Sequence, residues 1–412
     1  RYHKVTGVQT CALPISKAPV ILDLGTGFLK VGLSTSQIPD YVIPNCVGRP
    51  ILRSDESFSR EKLKDQMICD EITNKTRPYL DLTYPVEHGV IKNWEDEELV
   101  LDYLWNQKLK IQPNEHKILV TEAPLNPLEN RKKLMEILFE KYNFDSVQVS
   151  PQALLVLYAQ GLATGVVVDS GDGVTHIMPI YENYLLPHLV TRMDIAGRDI
   201  TEQMVKLLTL RGYNFHKTSD FDVVREIKEK MCFISADIKM DRRISNETTT
   251  YVEPFQLDDG RIIKVSGERF EAPEILFQPA LFGYEIPGLS ELIYQTIMKA
   301  DINLRKEFFQ KIVVSGGTTM FPGLSTRIEN DIRDLVLKNI LKGNEKQLKE
   351  YKIKVEDPPN RRYLVYLGAT VLANLSKDKA NQWISHSEFK EIGADKSAKH
   401  WQIGRASCRE RV

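Results

Sequence analysis

An α/β fold with an internal duplication is what this sequence predicts, and two observations carry the prediction. One is the order of patterned segments, a pair of strand-like runs followed by alternating helical and strand-like runs. The other is a motif that occurs twice, as Asp23-Leu24-Gly25-Thr26-Gly27 and as Asp169-Ser170-Gly171-Asp172-Gly173. Each copy follows an apolar run, Val20-Ile21-Leu22 or Val166-Val167-Val168, and leads into another apolar stretch. Each therefore reads as strand, tight glycine turn, strand. Glycine has no Cβ and tolerates positive φ, so the backbone N–H groups of such a turn can close on an anion. A single turn of this composition is a common surface feature. Two facing each other would clamp a polyphosphate from both sides, with Asp23 and Asp169 holding the phosphate-bound cation through its waters.

The elements follow in order. Val20–Gly32 reads as the first hairpin. Arg53–Asp70 is charged and polar and reads as an exposed insertion. Trp94–Leu109 has helical spacing at Leu99, Leu101, Leu104 and Trp105, and Glu95, Asp96, Glu97 and Glu98 crowd its first turn, where the helix dipole favours carboxylates. Lys117–Thr121 reads as a strand, and Asn126-Pro127 as the cap and first residue of the helix that carries Leu134, Ile137 and Leu138. Gln152–Ala163 is an apolar helix ending near Gly161. After the second hairpin, Asp194–Thr201 opens a helix with Met204, Val205, Leu207 and Leu208 on its apolar face. Val224–Ala236 and Pro287–Ala300 are helical, and Ile262–Val265 is strand-like. Lys311–Val314 is a strand that runs into Ser315-Gly316-Gly317-Thr318-Thr319-Met320-Phe321-Pro322-Gly323, followed by a helix over Leu324–Leu341. That junction is a third place where a phosphate or nucleoside could be held.

Both ends stand apart from this pattern. Residues 1–15 and 403–412 are what common sequencing-adapter strings encode, with the shared reverse-complementary core GCTCTTCCGAT and ATCGGAAGAGC, and they are read as translated adapter DNA. Of the five cysteines, Cys11 and Cys408 fall in those ends. Cys46, Cys69 and Cys232 are widely spaced and form no Cys-x-x-Cys, which argues against a disulfide framework or a zinc site and fits a reducing cytosol. A formal net charge of −1 gives no sign of nucleic-acid binding. No apolar run reaches the length of a membrane span. With 412 residues, the chain is too long for one simple core and implies two domains or more.

Several segments carry a resemblance to the actin family. Asp23–Lys30 resembles its first phosphate loop, and Asp169–His176 matches its second residue for residue. Thr121–Pro127, Asp194–Thr201 and Ser315–Gly323 match further family segments, in order, over Pro19 to Ser387. The resemblance implies an actin-like ATPase fold, two ribonuclease-H-like domains around a nucleotide cleft. Its four subdomains would take residues 18–44, 86–159 and 364–402 (subdomain 1), 45–85 (subdomain 2), 160–195 and 285–363 (subdomain 3), and 196–284 (subdomain 4). Val47–Pro50, Tyr158–Leu162, Gly267–Pro273, Lys342-Gly343 and Glu356–Pro359 are similar to an actin-related branch of the family. That branch supplies a subunit to a seven-subunit complex that nucleates branched actin filaments. The implied partners are a second actin-related protein, the other subunits, actin and nucleation-promoting factors, in the cytoplasmic cytoskeleton. Two departures from conventional actin favour this branch over a self-polymerising actin. Arg53–Asp70 lacks the small apolar loop that actin inserts into its neighbour, and Val336–Val355 is longer and charged. A small-molecule kinase of the same architecture would need an acidic general base facing a substrate pocket, and none is identified.

The resemblance also assigns a site. The ligand is ATP with Mg²⁺ or Ca²⁺, and any hydrolysis is slow. Gly25, Thr26, Gly27 and Lys30 contact the phosphates from one side, and Gly171, Asp172, Gly173 and Val174 from the other. Asp23 and Asp169 orient waters on the cation. Lys228, Glu229, Gly317, Thr318 and Met320 surround the adenosine. Gln152 and His176, with Asp169 nearby, place the attacking water. Taken alone, a Lys228-Glu229-Lys230 run marks a solvated helix face, a lone His176 a structural hydrogen-bonding group and Gln152 a satisfied core amide. Their order relative to both glycine turns favours the site. Leu24 stands where the family commonly has a polar residue, so it faces the core or removes a polar contact, and nucleotide binding is expected to be reduced but retained. Tyr158, Leu367, Val371, Leu372 and Leu375 are assigned to a groove that receives a neighbouring subunit or an amphipathic helix.

Overall fold

The computed structural model describes residues 17–400, apart from 52–63, 74–75, 216–217, 258–259, 349–350 and 378. The adapter-like ends and most of Arg53–Asp70 lie outside the described residues.

Two six-stranded sheets share one plan. In the first, Val20–Asp23 runs antiparallel to Phe28–Leu33 on one side and parallel to Lys117–Glu122 on the other. Tyr41–Pro44 lies beyond the hairpin, and Ser146–Pro151 and then Ile384–Ser385 complete the opposite side. In the second, Gly165–Ser170 runs antiparallel to Thr175–Tyr181 and parallel to Ile312–Ser315. Val355–Glu356 extends it on one side, and Tyr184–Leu185 and Thr191–Met193 both pair with Thr175–Tyr181. A glycine hairpin with a parallel neighbour thus occurs twice, which is the duplication the paired motifs predict.

Alternation along each first strand places the cores. Val20 and Leu22 enter a core shared with Val100, Leu104 and Leu138. Val166 and Val168 enter another, shared with Met204, Ile293 and Ile328. The intervening residues, Ile21 and Val167, point the other way and meet in a third cluster with Leu119 and Val313. The helices Gln152–Gln160 and Leu364–Ser376 fill that third cluster through Leu155, Val156, Tyr366 and Ala369. The two sheets are therefore joined through one helix pair. Gly368 sets its spacing, because a Cβ there would lie 1.7 Å from the Leu155 carbonyl oxygen.

The structure corrects three local expectations. Asn126 does not cap the following helix. Its Nδ2 donates to Glu122 Oε1 at 2.7 Å, Glu122 being fixed in turn by Arg131, and Leu128–Glu136 begins after Pro127. The described end of Arg53–Asp70 is not an exposed insertion. Met67–Ile68 pairs with Val47-Gly48, and Cys69 is fully buried, so a distant strand overrides a polar local composition. Trp94–Leu109 is helical throughout, but only Trp94–Tyr103 is α-helix, and Leu104–Leu109 widens into π turns.

Candidate functional site

A cavity of about 430 Å³ opens between the two hairpins. Every predicted cleft residue lines it. Asp23, Gly25, Thr26, Gly27 and Lys30 come from the first hairpin, and Asp169, Gly171, Asp172, Gly173, Val174 and His176 from the second. Gln152 reaches it from the first turn of its helix, Lys228 and Glu229 from the helix Thr218–Met231, and Gly317, Thr318 and Met320 from the junction after Ile312–Ser315.

The two glycine turns interlock. A Cβ on Gly27 would meet the Asp172 side chain at 2.7 Å, and one on Gly173 would meet Thr26 Cγ2 at 2.7 Å. Each turn therefore fits against the other only because the facing residue is glycine. The third junction closes on the second turn in the same way. Gly316, at φ 94°, would place a Cβ 2.2 Å from the Ser170 carbonyl oxygen, and Thr318 Oγ1 donates to the Gly171 carbonyl at 2.6 Å. These glycines leave backbone N–H groups close to the cavity with no side chain between.

The two aspartates differ in their surroundings. Asp23 is buried and fully engaged: Lys30 Nζ lies 2.6 Å from Oδ2, while Thr121 Oγ1 and Gln152 Nε2 both donate to Oδ1, the latter at 3.2 Å. Asp169 is half-buried, its Oδ1 is buried without a hydrogen-bond partner, and burial raises its pKa, with Asp23 adding a like charge. An orphaned carboxylate oxygen on a cavity floor, beside a second carboxylate, is the donor set a hydrated divalent cation fits. Burial pushes the His176 imidazole down to about 4, with the Arg192 charge adding to it, so it is neutral near pH 7. Burial also lowers the Lys228 pKa, and its Nζ donates to the Gly197 carbonyl at 2.7 Å. Lys228 is thus no solvated charge, as its Lys-Glu-Lys context alone would suggest.

Leu24 does two things at once: it lines the cavity and packs its side chain on the core under the first sheet. Tyr158 and Leu372 are half-buried against the third cluster, Leu367 and Val371 are half-buried on the same helix pair, and Leu375 is 63% exposed.

Sequence reasoning missed several cavity neighbours. Phe28 lines the cavity with the Arg225 and Arg362 guanidinium groups over its ring, at 5.1 and 6.0 Å from its centre. The His88-Gly89 turn straps both loops, with Gly89 N–H donating to Thr26 Oγ1 at 3.0 Å and His88 Nδ1 lying 2.6 Å from the Gly173 carbonyl oxygen. Positive φ at both His88 and Gly89 reflects a tight turn, and the His-Gly pair was its signal.

Comparison with known proteins decides the family. The actin family model matches residues 16–402. The chain belongs to the actin family. Its fold is accordingly the actin-like α/β fold, and members of this family hold a nucleotide with a divalent cation. Among actin-family relatives, actin-related protein 2 of Acanthamoeba castellanii is 50% identical over 378 residues, covering 92% of this chain and 97% of that protein. Actin-related protein 2 of Saccharomyces cerevisiae is 49% identical over 91% of this chain and 96% of that protein. That of Drosophila melanogaster is also 49% identical, over 91% and 95%. These likenesses make the chain similar to actin-related proteins over nearly their whole lengths. Among the described residues no helix is long and apolar enough to cross a membrane.

Proposed function

We propose that this chain is an ATP-binding, actin-like subunit of an assembly that nucleates branched actin filaments, presenting the surface on which a daughter filament begins. The interlocking of two glycine turns over one cavity carries the ATP part of this reading. Backbone N–H groups at 25–27 and 172–174 take the phosphate oxygens, the Gly171 N–H being held by the Val174 carbonyl at 3.1 Å, and Lys30 supplies positive charge beside them. Lys228, Glu229, Gly317, Thr318 and Met320 enclose the adenosine. Asp23 and Asp169 hold Mg²⁺ or Ca²⁺ through water. The bound cation supplies charge neutralisation on the phosphates.

Gln152 and His176 position the water that attacks the terminal phosphate. Neutral imidazole can donate at one nitrogen and accept at the other, which suits orienting a water. The Gln152 amide is engaged on Asp23, and its second N–H and its oxygen remain for that water. Gln152→Ala should therefore keep ATP affinity and lower hydrolysis on the order of tenfold or more. Equal hydrolysis by variant and parent removes Gln152 from the mechanism.

Near-half identity to proteins named actin-related protein 2, over almost their whole lengths, supports the assembly part. The partners are then a second actin-related protein, five further subunits, actin and nucleation-promoting factors, with Tyr158 and the helix Leu364–Ser376 facing the next subunit. Co-purification from its own cells tests this. Robust filaments pelleted from the isolated chain with ATP and salt would overturn it in favour of a self-polymerising actin.

A further inference from the structure

Asn45 sits in the short link between the strands Tyr41–Pro44 and Val47–Pro50 and is fully buried. It holds the first glycine turn at two points. Its backbone N–H donates to the Gly27 carbonyl at 3.0 Å, and its side-chain Nδ2 donates to the Gly25 carbonyl at 3.3 Å. The link is fixed in turn, because the Cys46 carbonyl accepts the Cys69 N–H at 2.9 Å. Gly25, Thr26, Gly27 and Phe28 line the cavity, and Asn45 does not. It therefore grips the turn from behind.

A trans peptide unit is planar, with its N–H directed opposite to its C=O. Drawing the Gly25 and Gly27 carbonyls back onto Asn45 turns the N–H groups of Thr26 and Phe28 forward, toward the cavity. The second turn is held in the same way by different donors. There the Gly171 carbonyl accepts from the Gly197 N–H at 3.1 Å and from Thr318 Oγ1, and the Asp172 carbonyl accepts from the Arg198 N–H at 2.8 Å. In the first turn a single residue supplies two donors.

We propose that Asn45 is a positioning residue for the first phosphate-binding turn, its amide orienting the Gly25–Thr26 peptide so that an N–H, and not a carbonyl oxygen, meets the phosphates. The proposal rests on the nucleotide reading above and adds to it a residue that touches no ligand. Gly25 has no side chain, so this peptide rotates easily once its carbonyl is released. The rotated peptide presents an oxygen to the phosphates and repels them. A second observation points the same way. Asn45 Oδ1 is buried without a hydrogen-bond partner. Burying an unpaired amide oxygen is unfavourable, so an apolar side chain would suit this position better if packing were its only task.

The test uses the full chain with Mg²⁺ and measures displacement of etheno-ATP by ATP and by adenosine. Asn45→Ala keeps the backbone N–H on Gly27 and removes only the amide. Asn45→Leu does the same while filling the space. Both variants should bind ATP about tenfold more weakly and adenosine as the parent does, because only the phosphates meet the turn. Amide hydrogen exchange at residues 24–28 without nucleotide should quicken in both. Equal losses for ATP and adenosine, or a loss in Asn45→Ala that Asn45→Leu restores, would mean that Asn45 serves packing alone and would overturn the proposal. Unchanged ATP affinity in both variants overturns it as well. Faster exchange in the variants of a parent chain that binds no etheno-ATP keeps the hold on the turn and removes the nucleotide reading.

Discussion

Two buried titratable side chains act on stability in opposite directions. His176 ordinarily titrates at 6.5 but is pushed down to about 4 by burial, so the unfolded chain takes up this proton first. Its contribution is complete above about pH 6.5 and is lost as the pH falls toward 4. Glu97 ordinarily titrates at 4.5 and is pushed up to about 7, so the folded chain keeps a proton that the unfolded chain gives up. Its contribution is complete below about pH 4.5 and is lost as the pH rises toward 7. Each slope is about 1.4 kcal/mol per pH unit, so between pH 4.5 and 6.5 the two offset one another. Glu97→Gln removes one of them. Thermal melts should show this variant losing stability on acidification below about pH 6.5 more steeply than the parent. Parallel curves for the two proteins would mean that Glu97 is ionised in the folded chain. In the sequence Glu97 is one of four acids that crowd a helix's first turn, where the helix dipole favours carboxylates. Asp96 is matched in its buried place by Arg49 and Thr83, partners distant along the chain that local pattern does not supply, and Glu97 is buried beside it.

At the scale of elements, the helix pair Gln152–Gln160 and Leu364–Ser376 is the joint of the molecule, and Gly368 is its tightest point. Alanine there would put a Cβ 1.7 Å from the Leu155 carbonyl oxygen, and backbone cannot yield as a flexible side chain would. Gly368→Ala should destabilise the chain by about 3 kcal/mol or more, at the upper end for overpacking, because relief requires the helices that fill the third cluster to separate. Gly161 is the control. It ends the first of these helices at φ 65° with open space around it, so Gly161→Ala should cost about 1 kcal/mol. Denaturant titration of both variants checks the pair, and equal losses would mean that helix spacing does not limit stability. Much of this element was legible. The apolar run after Gln152 marked the first helix, Gly161 marked its end, the family resemblance pointed to the second through Leu367–Leu375, and the apolar runs Val20–Leu22 and Val166–Val168 marked both sheets' central strands. The close approach of Gly368 to Leu155 was not legible, because a glycine inside an apolar helix does not name the backbone it lies against. Met67–Ile68 was missed for a related reason, since its strand character comes from pairing with Val47-Gly48 rather than from its own polar neighbourhood.

At the scale of the whole molecule, the two halves also meet away from both the helix pair and the interlocked glycine turns. Arg77, in the turn before Leu80–Thr83, pairs with Asp222 on the helix Thr218–Met231, and Arg225 on the same helix lies 3.0 Å from the other Asp222 oxygen. Beside them the Arg198 guanidinium sits 4.2 Å from the centre of the Tyr84 ring. None of these charges was separable from ordinary surface charge in the sequence, because partners so far apart along the chain leave no local pattern. A hinge opening of the cleft about the helix pair would have to break these contacts. Arg77 and Asp222 are 9% and 13% exposed, so salt screens their attraction only weakly. Asp222→Asn removes the carboxylate charge that both arginines share. The closed form then holds two uncompensated cations, while the open form returns them to water, so the substitution favours opening. Breaking a buried pair costs about 3–5 kcal/mol when the remaining charge stays buried, and resolvation on opening recovers most of that. Nucleotide release should therefore accelerate by about tenfold, a shift of about 1.4 kcal/mol, with the melting temperature of the nucleotide-free chain little changed. Stopped-flow release of a fluorescent ATP analogue measures it. Unchanged release from Asp222→Asn would mean that the nucleotide leaves without parting this contact, through local movement of the glycine turns rather than by separation of the halves.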